Sequence, residues 1–485
     1  MTGRDRFVQS VPRVGRLLIS SPQGHSGKTI VTVGLCKLLR RQGLSIQPFK
    51  KGPDYIDPSW LTIAAGRGCR NLDLFLIPEE RLIRAFKQAC EETDLAIVEG
   101  AMGLYDGLDT HGTTAEIARL LDIPILLVVN TSRMTSSIAA MVKGYQLFQT
   151  DVKIAGVILN YVSGIRHEKK LRDAVEQHCE IPVVGSIPKD EDLLIAERHL
   201  GLIPSSETDE AESAVKRIGR RLKPYLDLDA ILAIARGSKA PRTPSHLPKE
   251  RKKEESPLPF GERGRVRGTA GTKKVQIGIL RDRAFNFYYP ENLEALTNAN
   301  AELIFINSFQ DRLPEVDGLY IGGGFPEFFL KALEKNRGLR KDIASAVEAG
   351  LPVYAECAGL MYLSQKIHWQ GRSYEMVGII PAEVRISEKP EGHGYVVGEV
   401  IGMNPLFPIG LAVRGHEFHH SKISIRTGVR FAYHIRRGHG IDGKRDGVLY
   451  KNVFAAYTHL HALGTPPWAV AFVSLAAKEG KFRRR

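Results

Sequence analysis

The chain predicts an α/β protein built from two parallel-sheet domains in series. Three observations carry that prediction. Short runs that are apolar on consecutive positions alternate with helical patterns in both halves, a reactive loop follows one such run in each half, and a charged Pro/Gly-rich stretch separates the halves. Consecutive apolar positions mark strands covered on both faces, the condition of a parallel sheet between helices.

In the first half the apolar runs fall at 17–20, 95–99, 124–130, 154–160 and 182–188. Helical patterns lie around 28–42, 113–121, 134–148 and 167–178. Right-handed crossovers place such helices on both faces of one sheet. The second half repeats the style, with runs at 275–280, 302–307, 318–321 and 351–356 and helices near 291–298, 339–349 and 358–366. Residues 236–274 hold five prolines and runs of charge without apolar periodicity, so they read as a disordered basic linker. The expected organisation is a flexible N-terminus (1–15), a first domain (16–235), the linker (236–274), a second domain (275–477) and a basic tail (478–485).

At 485 residues and 43% hydrophobic content, there is material for two or three cores. No apolar run approaches the length of a membrane span, and no signal peptide is read at the N-terminus. Five widely spaced cysteines argue against a disulfide framework and for a reducing, cytoplasmic setting. The net charge of +14 is local: residues 1–16 carry +3, 236–274 carry +8 and 478–485 carry +4. Basic tails and a linker are not a basic groove, so nucleic acid is not an expected partner.

Gly24-His25-Ser26-Gly27-Lys28-Thr29 stands between a strand-like run and a helix, the setting of a phosphate-binding loop. Its glycines let backbone N–H groups face phosphate oxygens, Lys28 reaches the β/γ-phosphates, and Thr29 offers a hydroxyl to Mg²⁺. Pro22 stands where the usual pattern has Gly. Four carboxylates follow in two segments: Asp54 and Asp57, then Glu99 at a strand end and Asp106 in a Gly-rich loop. A loop Asp is ordinarily a turn former. Four such groups after a phosphate loop suit Mg²⁺-ATP and phosphoryl transfer.

The second centre is Ala355-Glu356-Cys357-Ala358-Gly359, a strand-to-helix turn that presents a thiol at a helix N-terminus and favours the thiolate. The N–H of Ala358 and those of Gly322-Gly323-Gly324 are candidates for an oxyanion hole, and His459-Leu460-His461 offers a base. An isolated buried Cys is ordinarily inert. Cys36, Cys69, Cys90 and Cys179 lack such surroundings and are read as structural.

These motifs, with Phe49-Lys50-Lys51-Gly52-Pro53-Asp54-Tyr55-Ile56-Asp57-Pro58, Val98-Glu99-Gly100-Ala101-Met102-Gly103-Leu104-Tyr105-Asp106-Gly107 and Gly415-His416-Glu417-Phe418-His419-His420-Ser421, resemble the cobyrinate a,c-diamide synthase family over about residues 16–475. The resemblance implies a dethiobiotin-synthetase-like ATPase followed by a class I glutaminase. Cys357 and His459 would be catalytic, with Gly323, Gly324 and Ala358 as the oxyanion hole. Gly24, Ser26, Gly27, Lys28, Thr29 and Lys50 would bind ATP, and Thr29, Asp54 and Glu99 would hold Mg²⁺. Asp57, Asp106, His416 and Glu417 are candidates for substrate contact or phosphate transfer. Glutamine and an acidic tetrapyrrole are the implied substrates, and a homodimer is left open.

Three departures stand out. His461 occupies the position, two residues after the catalytic His, where class I glutaminases usually carry Glu, so what orients His459 is open. Ala358 and Asn130 stand where relatives favour Gly and Asp. Rival readings are the same chemistry on sirohaem or nickel-sirohydrochlorin, a non-catalytic ATP switch (disfavoured by Gln23 in place of a signature Lys), and a scaffold with a dead thiol.

Overall fold

The computed structural model describes residues 14–108, 111–198, 201–237, 274–426 and 428–483. The proposed linker therefore lies outside the described residues except at its ends, as does most of the N-terminal segment.

The first half alternates strand and helix as expected. Its elements are β1 (Gly15–Ser20), α1 (Lys28–Arg41), β2 (Ile46–Lys51), α2 (Ile56–Ala65), β3 (Arg70–Leu72), α3 (Glu79–Ala89), β4 (Leu95–Glu99), α4 (Thr114–Leu120), β5 (Ile125–Asn130), α5 (Ser137–Phe148), β6 (Ile154–Val162), α6 (Ile165–Cys179) and β7 (Val183–Pro188). A short pair, β8 (Glu197–Arg198) and β9 (Gly201–Leu202), precedes α7 (Ala211–Leu222) and α8 (Leu228–Arg236). The seven long-range strands pair in the order β3-β2-β4-β1-β5-β6-β7, all parallel. One core packs α3–α6 on one face of this sheet, and a second packs α1, α2, α7 and α8 on the other. Helix α4 starts at a capping box, with Thr113 and Glu116 satisfying each other's backbone N–H.

The second half departs from the expected repetition. It opens as predicted with β10 (Val275–Leu280), α9 (Pro290–Asn298), β11 (Ala301–Ile306), β12 (Gly318–Ile321), α10 (Leu330–Lys335), α11 (Arg337–Glu348), β13 (Val353–Glu356) and α12 (Ala358–Leu363). The helix expected to reach residue 366 stops at Leu363, and β14 (Ser364–Trp369) begins at once. Nine more strands follow: β15 (Arg372–Glu375), β16 (Ile380–Ile386), β17 (Gly392–Val400), β18 (Ala412–His419), β19 (Ser421–Ile425), β20 (Arg430–Arg437), β21 (Arg445–Tyr450), β22 (Val453–Ala456) and β23 (His459–Leu460). Strands β16 and β19 alternate buried and more exposed residues, as antiparallel neighbours with one covered face do. The main sheet runs β11-β10-β12-β13-β22-β21-β20-β17-β18-β23, parallel through β22 and antiparallel beyond it. Of the stretch expected as a basic tail, residues 478–483 continue α13 (Pro467–Arg483), whose Phe472 and Ala476 lie close against Gly318. Residues 484–485 lie outside the described residues. Among the described residues no helix is long and apolar enough to cross a membrane.

The halves meet along the β2–β3 edge of the first sheet. Arg70 Nη1 bonds Glu291 at 3.0 Å, Tyr395 donates to Asp73 at 2.6 Å, and Arg81 donates to the Leu463 carbonyl at 2.9 Å. Gly464 lies so close that a Cβ there would stand 2.0 Å from the Leu76 carbonyl. This docking brings the carboxyl end of β2 against the carboxyl ends of β12 and β22.

Candidate active site

The phosphate loop leaves β1 and enters α1 through Gly27, whose φ of 88° suits glycine. A side chain is excluded twice over, since a Cβ there would meet Asn160 Nδ2 at 2.3 Å. That amide donates to the Ser26 carbonyl at 2.9 Å, and Ser26 Oγ donates to the Gln23 carbonyl at 3.0 Å. The loop is thus pinned before any ligand arrives. Lys28 donates to Ser21 Oγ at 2.9 Å from a buried position. Burial, then the nearby Lys50 charge, pushes its ammonium down to about 8. A cavity beside Gly27 is walled by Asn160, Ile187, Pro188, Leu193 and Leu194.

Lys50 and Glu99 are opposite partners in the β2–β4 ladder. The Lys50 ammonium lies 2.5 Å from Asp57, 2.8 Å from Glu99 and 3.8 Å from Asp54. Thr29 donates to Glu99 at 2.7 Å and stands 3.3 Å from Asp57. Asp57, expected as one of the four carboxylates and as a substrate or phosphate-transfer contact, joins Thr29 and Glu99 more directly than Asp54 does. Burial and the Asp57 charge push Asp54 up to about 7. Burial would also raise Asp57, but the Lys50 ammonium prevails and holds it below the usual range. Among the described residues no group of three His, Cys, Asp or Glu side chains is arranged to hold a metal unaided. Thr29, Glu99 and Asp57 nevertheless suit Mg²⁺: Glu99 Oε2 is buried without a hydrogen-bond partner, and Mg²⁺ takes its other ligands from phosphate and water. Asp106 turns inward and accepts the Gly103 N–H at 2.7 Å, closing its own loop as a turn former.

In the second half, Cys357 occupies a sharp elbow with φ 48° and ψ −100°. Such backbone strain in a non-glycine residue belongs to functional turns. The thiol is 4% exposed. Burial pushes it up, Glu327 adds to the rise, and the Ala358 N–H opposes it without prevailing. Burial thus works against the thiolate that the helix N-terminus was expected to favour, and α12 is only six residues long. A small cavity beside the sulfur is lined by Gly324, Glu327, Phe418, His419 and Ser421. Gly323 is required by close approach: a Cβ there would meet His459 Cε1 at 2.4 Å. Gly324 (φ 154°) lies against the Ala284 carbonyl, and the Gly322 N–H is already taken by Tyr288.

His416 and Glu417 do not face the phosphate centre. His416 stacks on His459 at 4.9 Å and meets Tyr289 Oη at 3.2 Å, and burial holds its imidazole well below the ordinary range. Glu417 accepts the N–H groups of His439 and Gly440, so it anchors a loop.

Tyr55 joins the two centres. It lies between Asp54 and Asp57 in sequence, yet its ring packs 5.0 Å from Phe287, 4.6 Å from Tyr289, 5.5 Å from His416 and 5.4 Å from His459. One short segment thus presents carboxylates to Lys50 and an aromatic ring to the histidine of the other half.

Residues 17–203 match the CobQ/CobB/MinD/ParA nucleotide-binding domain, and residues 276–467 match the CobB/CobQ-like glutamine amidotransferase domain. A cobyrinate a,c-diamide synthase of Magnetococcus marinus is 43% identical over 97% of this chain and 99% of its own length. The chain belongs to the cobyrinate a,c-diamide synthase family. The Archaeoglobus fulgidus and Methanosarcina barkeri members are 39% and 38% identical, each over 96% of this chain and covering 98% and 97% of their own lengths. As a member of that family it is a glutamine-dependent amidoligase with an ATP-binding half, acting in cobalamin biosynthesis. Sequence reasoning had not singled out Asn160 or Tyr55. Asn160 offered only a polar residue ending an apolar strand, and Tyr55 lay unremarked inside the quoted Lys50-to-Pro58 motif.

The depressed Lys28 ammonium has a measurable consequence. Free enzyme at about pH 9 is expected to carry mostly neutral Lys28, and bound triphosphate oxygens to restore its charge. ATP binding there is expected to take up close to one proton, read by calorimetry in buffers of different ionisation enthalpy. Lys28→Met is expected to abolish the uptake, and equal heats in all buffers would count against this reading.

Proposed function

We propose that this enzyme amidates the a and c acetate carboxylates of cobyrinate, or of its metal-free counterpart hydrogenobyrinate, through an acyl phosphate. The observation that carries the reading is the Tyr55 segment, which sets the Lys50 carboxylate cluster beside the histidine of the thiol centre. Cys357 attacks the glutamine carboxamide while His459 takes the thiol proton and passes it to the departing ammonia. Water then cleaves the thioester. The N–H groups of Ala358, Gly323 and Gly324 are the donors for the oxyanion.

In the first half, Gly24, Ser26, Gly27, Lys28 and Thr29 cradle the triphosphate beside the small cavity that Asn160 lines. Thr29 and Glu99, with Asp57 or Asp54, would hold Mg²⁺, which neutralises phosphate charge when bound. Lys50 fixes the acidic side chains and faces the incoming carboxylate. A substrate oxygen attacks the γ-phosphorus, ADP leaves, and ammonia displaces phosphate from the acyl group. Without phosphorylation the carboxylate has no adequate leaving group. The five cysteines, all unpaired and buried, support a cytoplasmic setting.

The test is mass spectrometry of products from Mg²⁺-ATP, glutamine labelled with heavy nitrogen at its amide, and each of cobyrinate, hydrogenobyrinate and sirohaem. Label in two amides of a corrin product supports the reading, and label only in a sirohaem product overturns it. Tyr55→Ala is expected to raise the glutamine hydrolysed per amide formed several-fold, measured as glutamate against amide in one reaction. An unchanged ratio would remove Tyr55 from the link between centres.

A further inference from the structure

His461 stands where a class I glutaminase usually carries its orienting Glu, but it serves elsewhere. Its Nε2 lies 3.6 Å from Glu291, a carboxylate that Arg70 of the first half also holds. His459 is therefore left without the customary partner two residues along. A different carboxylate fills the gap. Glu356 ends β13, immediately before the nucleophile, and is 1% exposed. Its Oε2 lies 3.7 Å from His459 Nδ1. Three donors fix it in place: Tyr320 Oη to Oε2 at 2.9 Å, Tyr354 Oη to Oε1 at 2.9 Å, and the Leu460 N–H to Oε1 at 3.0 Å. Both tyrosines are fully buried, and their rings pack against each other and Trp468.

We infer that Glu356 is the positioning residue for His459 in glutamine hydrolysis, taking the part that His461 cannot play. The inference rests on the proposed role of the thiol centre and names the group that completes it. A carboxylate at Nδ1 holds the proton there and leaves Nε2, the nitrogen beside Gly323, as the base. It also stabilises the imidazolium formed when the thiol proton arrives. Nδ1 makes no hydrogen bond in the resting structure. An approach of roughly 0.7 Å brings the pair into bonding range, as catalytic contacts commonly tighten only once substrate is bound. The Leu460 bond ties the backbone beside His459 to the same carboxylate, so ring and main chain share one anchor.

The test compares wild type, Glu356→Gln and Glu356→Asp as full chains, measuring glutamine hydrolysis against pH, ammonia-supported amidation and thermal unfolding. The titratable groups facing the His459 ring are Glu356 from β13, His416 from β18 and Tyr55 from the first half, with Cys357 following Glu356 at the elbow. Glu356→Gln removes the only carboxylate among them. Its kcat for glutamine hydrolysis is expected to fall roughly 10²–10⁴-fold, with KM changed less than about threefold. The acidic limb of its pH profile moves to lower pH, since the imidazolium loses its counter-charge. Glu356→Asp lies between, and ammonia-supported amidation stays near wild type. A Glu356→Gln kcat within about threefold of wild type, or a fall with the acidic limb unmoved, overturns the inference. Should Glu356→Gln not fold, Tyr354→Phe carries the test. Losing one donor makes the carboxylate more basic and moves the acidic limb to higher pH, and an unmoved limb overturns the inference. Wild type that hydrolyses no glutamine would instead defeat the reading of the thiol centre itself.

Discussion

Cys357→Ala is expected to end glutamine-dependent amidation while leaving ammonia-dependent amidation within a few-fold of wild type. Removing a nucleophile from a site that acts as a unit lowers turnover by roughly 10⁴–10⁶-fold, since the remaining donors bind a substrate they cannot attack. The loss stays confined to one half because, among the described residues, the neighbours recorded for Cys357 belong to its own half. Its backbone N–H bonds the Ala456 carbonyl, and its sulfur stands 3.9 Å from the Phe418 carbonyl. Methyl replacement at a buried elbow leaves those elements in place. The measurement is amide formation with glutamine and, separately, with ammonium at a pH high enough to supply free ammonia. Equal loss with both nitrogen sources would mean that the two centres are not separable, and undiminished glutamine use would remove Cys357 from the chemistry.

Lys50→Met is expected to destabilise the first half by about 3–5 kcal/mol and to abolish ATP-dependent amidation. The cost follows from the charges left behind. Asp54, Asp57 and Glu99 surround one buried ammonium, and taking it away leaves the buried Glu99 and the partly buried Asp54 and Asp57 without compensation. The pH dependence has a definite sign. Burial already raises Asp54 and Glu99, and the variant raises them further and releases Asp57 from its depression. Folded-state carboxylates above their unfolded values bind more protons when folded, so stability falls as pH rises. The variant should therefore regain much of its loss between about pH 8 and pH 5, read as unfolding midpoints across that window. A Lys50→Met protein as stable as wild type at neutral pH would mean that the carboxylates are not held by Lys50.

Much of this molecule was legible before folding was considered. The strand–loop–helix context of Lys28, the strand end at Glu99 and the elbow at Cys357 are local features, and local sequence carries them. Most strand pairs past Leu363 are antiparallel, and their short one-sided alternation leaves no continuous apolar run to mark them in the sequence. Asp57 was underrated for a different cause: which carboxylate meets Thr29 depends on the pitch of α2, a property no spacing rule reports.

Chain chemistry alone therefore marked the side chains proposed to react: a phosphate loop, a thiol on a sharp turn, and a histidine after a strand. It marked these because backbone turns and helix starts form among neighbours in sequence. Tertiary packing decided how those groups are arranged, and long-range contacts that a linear pattern does not encode are the reason. It placed Tyr55 against His459 across the two halves, sent His461 to Glu291, and set Glu356 beside the base that it is proposed to orient.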